Sequence, residues 1–122
     1  MSKLALVVDD SVLVCRMLRS MLEKGGFEVV QAADGEKALA EADKQSFALV
    51  ITDMNMPVMN GLELITELRK RPSHRFTPIV FLTTETNPIV QADARKAGAT
   101  GWIQKPFDSA KVMSVVDRIF AG

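Results

Sequence analysis

The stretch LVITDMNMP, Leu49 to Pro57, carries an uncharged run straight into an aspartate and then into a turn bounded by proline. Continuous Leu, Val and Ile with a β-branched Thr is the pattern of a strand buried on both faces, as in a parallel sheet. A carboxylate at the mouth of such a strand is costly to bury alone. Asp53 therefore calls for partners of matching chemistry, and the rest of the chain supplies them.

Short apolar runs alternate with longer segments of helical period on either side of this stretch, which predicts a parallel sheet covered by helices on both faces. Five strand and helix pairs are expected, an α/β fold of (βα)5 type with three layers. The strands are placed at Leu4 to Val8, Phe27 to Gln31, Ala48 to Thr52, Ile79 to Thr83 and Gly101 to Gln104. FEVVQ and GWIQK carry more polar residues than the other three runs, so they fit the two edges.

Side-chain oxygens at helix starts and glycine at helix ends mark the helices between them. Ser11 caps the first and Gly25-Gly26 ends it. Asn60 with Glu63 forms a capping-box pattern, with Pro72 beyond the helix. Asn87-Pro88 opens the fourth helix and Gly98 closes it, while Asp108 caps the fifth. Val112, Val115, Val116, Ile119 and Phe120 give the fifth helix one wide apolar stripe. The fourth offers only Val90, Ala94 and Ala97 inward, so it is expected to be the more mobile of the two.

A chain of 122 residues with 48% hydrophobic and 25% charged residues fits one globular domain, 1–122, with no output domain. Fifteen basic and fifteen acidic residues cancel, so no global field draws it to nucleic acid or an anionic membrane. Its apolar runs fall far short of the ~20 residues that span a bilayer. With Cys15 as the single cysteine and no leader-like start in MSKLALVVDD, a cytoplasmic setting is expected. His74, alone in RPSHRF, reads as a solvated loop residue rather than a metal ligand.

Open α/β sheets bind ligands beyond the carboxyl ends of their strands. Asp9 and Asp10 follow the first strand here, Asp53 follows the third, Thr83 ends the fourth and Lys105 follows the fifth. Taken singly these are ordinary: Asp9-Asp10 could cap a helix, Thr83 is a common strand residue, and Lys105 could be a solvated edge lysine. Their joint placement on one rim is what demands an explanation. Three converging carboxylates repel one another unless a cation joins them. Mg²⁺ suits the position, because it takes one or two protein carboxylates and fills its shell with water and phosphate oxygens. Asp53 then fits a nucleophile that accepts a phosphoryl group, with Lys105 offsetting charge and the Thr83 hydroxyl adding a hydrogen bond.

VVDDS at 7–11, DMNMPVMNG at 53–61, LTTE at 82–85 and QKPF at 104–107 resemble the receiver domains of two-component response regulators, over essentially the whole chain. The resemblance implies the doubly wound strand order 2-1-3-4-5. It also implies phosphorylation of Asp53 by a histidine kinase, with Mg²⁺ held by Asp10, Asp53 and the Asn55 carbonyl and assisted by Asp9. Asn55 and Glu85, two positions past Asp53 and Thr83, match the stand-alone chemotaxis members, where these positions modulate hydrolysis of the phosphoryl group. The implied partners are a CheA-like histidine kinase and a flagellar motor switch protein or other downstream protein, with room for a phosphatase. A role as phosphate sink or relay intermediate is the alternative.

Trp102 departs from the common pattern, which has Tyr or Phe three residues before the lysine; there the ring switches inward with the threonine. Two other classes fit less well. An aspartyl-nucleophile phosphatase usually has a second aspartate where this chain has Asn55. A flavin module would need a phosphate loop after the first strand, where DDS would repel a phosphate.

Overall fold

The computed structural model describes residues 3–121. In chain order the elements are β1 (Lys3–Val8), α1 (Val12–Lys24), β2 (Phe27–Ala32), α2 (Gly35–Lys44), β3 (Leu49–Asp53), α3 (Gly61–Arg69), β4 (Ile79–Thr83), α4 (Pro88–Ala97), β5 (Gly101–Gln104) and α5 (Ser109–Phe120). A 3-10 turn, Pro72–His74, joins α3 to β4. All four strand pairings are parallel, in the order β2-β1-β3-β4-β5, so the more polar runs do form the edges.

Alternate strand residues feed two cores, because successive side chains point to opposite faces. Leu6, Val50, Ile79 and Phe81 pack with Leu64, Leu68 and Ala94 on the side of α2, α3 and α4. Ala5, Val7, Ile51 and Val80 pack with Leu18, Leu22, Val112 and Val116 on the side of α1 and α5. Met54 is buried in the first core, and Met56 and Met59 pack against it, filling gaps around the turn after Asp53.

The expected caps are in place. Ser11 accepts from the Val14 N–H, Asn60 and Glu63 form the full capping box, Asn87 accepts from Ile89, and Asp108 from Lys111. Gly98 closes α4 at φ 112°, in the left-handed region open to glycine. Asp34 caps α2 by accepting from Lys37. In α4 Ala94 alone is buried, whereas α5 buries Val112 and Val116 and half-buries Val115, Ile119 and Phe120. Each fully buried valine contributes about 1.5–3 kcal/mol, and an alanine far less.

Two expectations are corrected. The third strand runs from Leu49 to Asp53 rather than from Ala48 to Thr52, because Asp53 stands in register with Leu82 of β4. The carboxylate thus leaves the last strand residue and is anchored by the sheet itself. His74 is fully buried, not solvated. Its Nε2 accepts from the Phe47 N–H at 3.2 Å, and Nδ1 lies 2.8 Å from the Ser73 hydroxyl. Both ring nitrogens are satisfied, which is what lets a histidine leave water. First and second strands also run one residue further than expected, to Lys3 at the start of β1 and Ala32 at the end of β2.

Candidate functional site

The carboxyl ends of β1, β3, β4 and β5 bring together Asp9, Asp10, Asp53, Thr83 and Lys105. Carboxylate oxygens of Asp9, Asp10 and Asp53 all lie within 4.8 Å of one another. Asp9 and Asp53 are buried and Asp10 is exposed, so the cluster opens to solvent on one side.

Asp9 is fixed from three directions. Its N–H donates to the Ala32 carbonyl at 3.1 Å, its Oδ1 accepts from the Ser11 N–H at 2.9 Å, and its carbonyl accepts from the Cys15 thiol at 3.4 Å. Ser11 thus both caps α1 and orients the carboxylate. Lys105 Nζ sits 3.3 Å from Asp9 Oδ2 and 3.6 Å from Asp53 Oδ2, bridging the two buried acids. Its own N–H donates to the Thr83 carbonyl at 2.7 Å, and the Lys105–Pro106 bond is cis.

One ammonium does not neutralise three carboxylates. Burial first, and then the charge of Asp9, push the Asp53 carboxyl above its ordinary value, against the pull of Lys105 and of the Asn55 and Met54 N–H groups. A hard oxygen-ligand cation would relieve that conflict, and the all-oxygen donor set with its exposed side fits one that keeps part of its water.

Behind Asp53 the chain leaves no spare volume. A Cβ on Gly61 would stand 2.5 Å from Phe81 and 2.7 Å from the Asp53 carbonyl oxygen, so the turn that closes on the strand end needs glycine there. The same turn holds Val58 at φ 71°, a region β-branched residues avoid. Asn55 is exposed on this turn, and nothing in the local sequence signalled the role of Gly61 beyond its place in the motif.

On the other flank Thr83 is fully buried, and its Oγ1 accepts from the Glu85 N–H at 3.0 Å. That bond occupies a lone pair and leaves the hydroxyl proton free to be donated. The Glu85 carboxylate turns to the loop, where Oε1 accepts from the Thr86 and Asn87 N–H groups at 3.1 and 2.9 Å. Trp102 lies half-buried with its ring edge-on to Phe81, centroids 6.1 Å apart. Its Nε1 is buried and finds no acceptor among the described residues.

This fold with this rim defines a receiver domain, and the family comparison agrees: the model of the response regulator receiver domain matches residues 5–117, so the chain belongs to that family. Within it the chain is homologous to the CheY chemotaxis regulators. Chemotaxis protein CheY-3 of Vibrio cholerae is 35% identical over 116 residues, covering 94% of this chain and 89% of the relative. The structure of Vibrio cholerae CheY4 superposes with a TM-score of 0.94 at 41% identity, over 98% of this chain and 100% of that one. A receiver domain of a Pseudomonas aeruginosa sensor histidine kinase, solved with magnesium in its active-site cleft, is 25% identical with a TM-score of 0.89 and full coverage of both chains. Among the described residues no helix is long and apolar enough to cross a membrane.

Proposed function

We propose that this receiver domain is a phosphorylation-operated switch, a stand-alone regulator working in the cytoplasm without catalysing turnover of other molecules. Asp53 is the phosphoacceptor. One of its carboxylate oxygens forms a bond to phosphorus as the bond to the donor's imidazole nitrogen breaks, and that nitrogen keeps the electron pair. The Lys105 ammonium and the free proton of the Thr83 hydroxyl stabilise the oxygens that gain charge in the transfer.

Mg²⁺ fits the residues present and would be held by Asp10, Asp53 and the Asn55 carbonyl, with Asp9 behind them. Bound there it supplies positive charge against the transferring phosphoryl oxygens. Asn55 and Glu85 flank the acceptor and modulate how long the phosphoryl group survives. Phosphorylation turns the singly charged Asp53 carboxylate into an acyl phosphate carrying about −1.5 to −2, a net gain of at most about one negative charge at the rim, draws on Thr83 and Lys105, and biases the α4–β5–α5 face through Trp102. The homology to CheY supports a chemotaxis setting, with a CheA-like histidine kinase as donor and a flagellar motor switch protein as target.

The observation that carries this reading is Lys105 Nζ bridging Asp9 and Asp53 inside a cluster of three acids within 4.8 Å. Intact mass after treatment with acetyl phosphate and Mg²⁺ tests it. One phosphoryl group should appear on the wild type and decay on standing, and none on Asp53→Asn. An added mass that persists in the variant moves the acceptor elsewhere, and continuous hydrolysis of phosphate monoesters would make the protein a phosphatase.

A further inference from the structure

The turn that follows Asp53 is rich in sulfur: Met54, Met56 and Met59 are three of the seven methionines in the chain. Met54 is buried, whereas Met56 and Met59 are half-buried against the same core. Asn55, Pro57, Val58 and Asn60 are exposed, so the inward side chains of this turn are thioethers. The turn needs such fastening. The Met59 N–H donates to the Pro57 carbonyl at 2.7 Å across Val58, whose φ is 71°. A three-residue turn closed over a positive φ is the rare, strained γ form, and strain of this kind persists only where the surroundings impose it.

Met59 holds the end of that turn. A Cβ on Gly35 would stand 2.8 Å from Met59 Cβ and Sδ and 2.9 Å from its Cγ, so the methionine fills the notch that glycine leaves at the start of α2. Its side chain is also within reach of solutes. Met59 lines an open groove of about 400 Å³ between α2 and α3, with Leu39, Leu62, Glu63, Thr66 and Glu67. A small uncharged peroxide fits there, since the groove has room for several waters at about 30 Å³ each. The other lining side chains have nothing to donate to an oxygen added on the sulfur. Leu39 and Leu62 are apolar, Glu63 and Glu67 only accept, and the Thr66 hydroxyl already donates to the Leu62 carbonyl at 2.8 Å.

We propose that Met59 is an oxidation site through which peroxide slows the phosphorylation of Asp53. The sulfur lone pair bonds to one oxygen of hydrogen peroxide as the O–O bond breaks, and the departing oxygen keeps the bonding pair and leaves as water. The thioether is thereby oxidised by two electrons to the sulfoxide, and the peroxide is reduced by two. The polar sulfoxide leaves the Gly35 notch for solvent, because burial without a donor is costly. Val58 then relaxes from its positive φ, and the turn that offers the Asn55 and Met54 N–H groups to the Asp53 carboxylate loosens. A sulfoxide reductase regenerates the thioether, so the effect is reversible. The effect on rate rests on Asp53 being the phosphoacceptor, whereas the loosening of the turn does not.

To test this, the wild-type chain is treated with hydrogen peroxide, its oxidised methionines are located by peptide mass mapping, and its labelling by acetyl phosphate with Mg²⁺ is timed. Met59 should gain an oxygen alongside Met17, exposed on α1 across the sheet, and well before the buried Met54. The labelling rate should fall about fivefold or more, because a small misplacement of a reacting group is costly in rate. Methionine sulfoxide reductase should restore it. Each variant is compared with its own untreated rate: peroxide should slow Met17→Leu as it slows the wild type, and leave the volume-conserving Met59→Leu unaffected. The amide ¹H–¹⁵N resonances of Gly35, Asn55 and Gly61 give a second readout that needs no phosphoryl transfer, and they should move when Met59 of the wild type is oxidised. An untreated wild type that takes up no phosphoryl group removes Asp53 as acceptor, and the resonances then decide whether Met59 governs the turn. Resonances that stay in place once Met59 carries oxygen, a Met59 that resists peroxide longer than Met54, or a Met59→Leu chain slowed as much as the wild type overturns the assignment.

Discussion

The two ends of the sheet treat buried polar groups in opposite ways. At the amino ends of the strands, the Arg69 guanidinium donates to the carbonyls of His74, Thr77 and Gly98 at 2.8, 2.7 and 2.6 Å, tying α3, the turn before β4 and the end of α4 together. His74 beside it has both ring nitrogens engaged, and the Thr77 hydroxyl donates to the Phe47 carbonyl. At the carboxyl ends, Asp9 and Asp53 share one lysine, Asp10 stands beside them without it, and the three acids remain in mutual repulsion. One end closes the fold, and the other keeps an electrostatic conflict that a cation or a phosphoryl group can act upon.

The largest effect that would test this contrast lies at the closed end. Arg69→Ala removes three charge-assisted hydrogen bonds and leaves three carbonyls short of a donor, an expected loss of about 3 kcal/mol in urea unfolding. Arg69→Lys should recover little of it, because an ammonium cannot span the three acceptors as the planar fork does. A loss below about 1 kcal/mol for the alanine variant would mean that this end is not what closes the fold.

Acid should separate the two ends by sign. Burial, and then the cation of Arg71, hold the His74 imidazole below its ordinary value, with Arg69 adding to the effect and Asp43 opposing it. The unfolded chain then binds the proton more readily than the native one. His74 contributes its full stability above the ordinary value near 6.5 and loses it as the pH falls through that value toward its native one, with a slope of up to about 1.4 kcal/mol per pH unit. His74→Gln, whose amide oxygen can still accept from Phe47, should flatten the change between pH 7 and 5.

Asp53 works the other way. Its native value is raised, so the native state binds the proton more readily, and the burden it places on stability appears as the pH rises from the ordinary carboxylate value through the native one. Asp53→Asn should therefore be more stable than the wild type at pH 7, by roughly 1 kcal/mol as in other relieved buried charges. Urea unfolding at pH 7 and 4 checks both signs, and a less stable Asp53→Asn at pH 7 would show that Lys105 already satisfies the rim.

The contrast also explains what could be read from the sequence. Caps such as Ser11, Asn60, Asn87 and Asp108 depend on neighbours two or three residues away, so their chemistry is visible in the chain. The rim was legible for a similar reason: each of its residues lies at or just after a recognisable strand, and the fold carries all strand ends to one side. His74 was misread because its acceptor role depends on Phe47, 27 residues away, across a loop no local pattern describes. Arg69 reaches Gly98 over 29 residues and looked like any arginine ending a helix. The orphaned Trp102 N–H follows from tertiary packing against Phe81, which no spacing encodes.

The smallest expected effect lies in the turn after Asp53. Val58 is held at φ 71° while the residue is 73% exposed, so it bears backbone strain and gains little burial in return. Strain of this kind costs on the order of 1–3 kcal/mol, and glycine at the same position gives back about 0.5–1 kcal/mol in lost chain entropy. Val58→Gly should therefore be more stable by roughly 0.5–1 kcal/mol. If the strain serves to hold the Asn55 carbonyl and Asp53 in their working arrangement, the same variant should take up the phosphoryl group from acetyl phosphate more slowly. A variant that gains stability and labels at the wild-type rate would uncouple the strain from the rim. One that loses stability would show that the turn is not under strain at all, and that the repulsion among the three carboxylates is the only conflict stored at this end of the sheet.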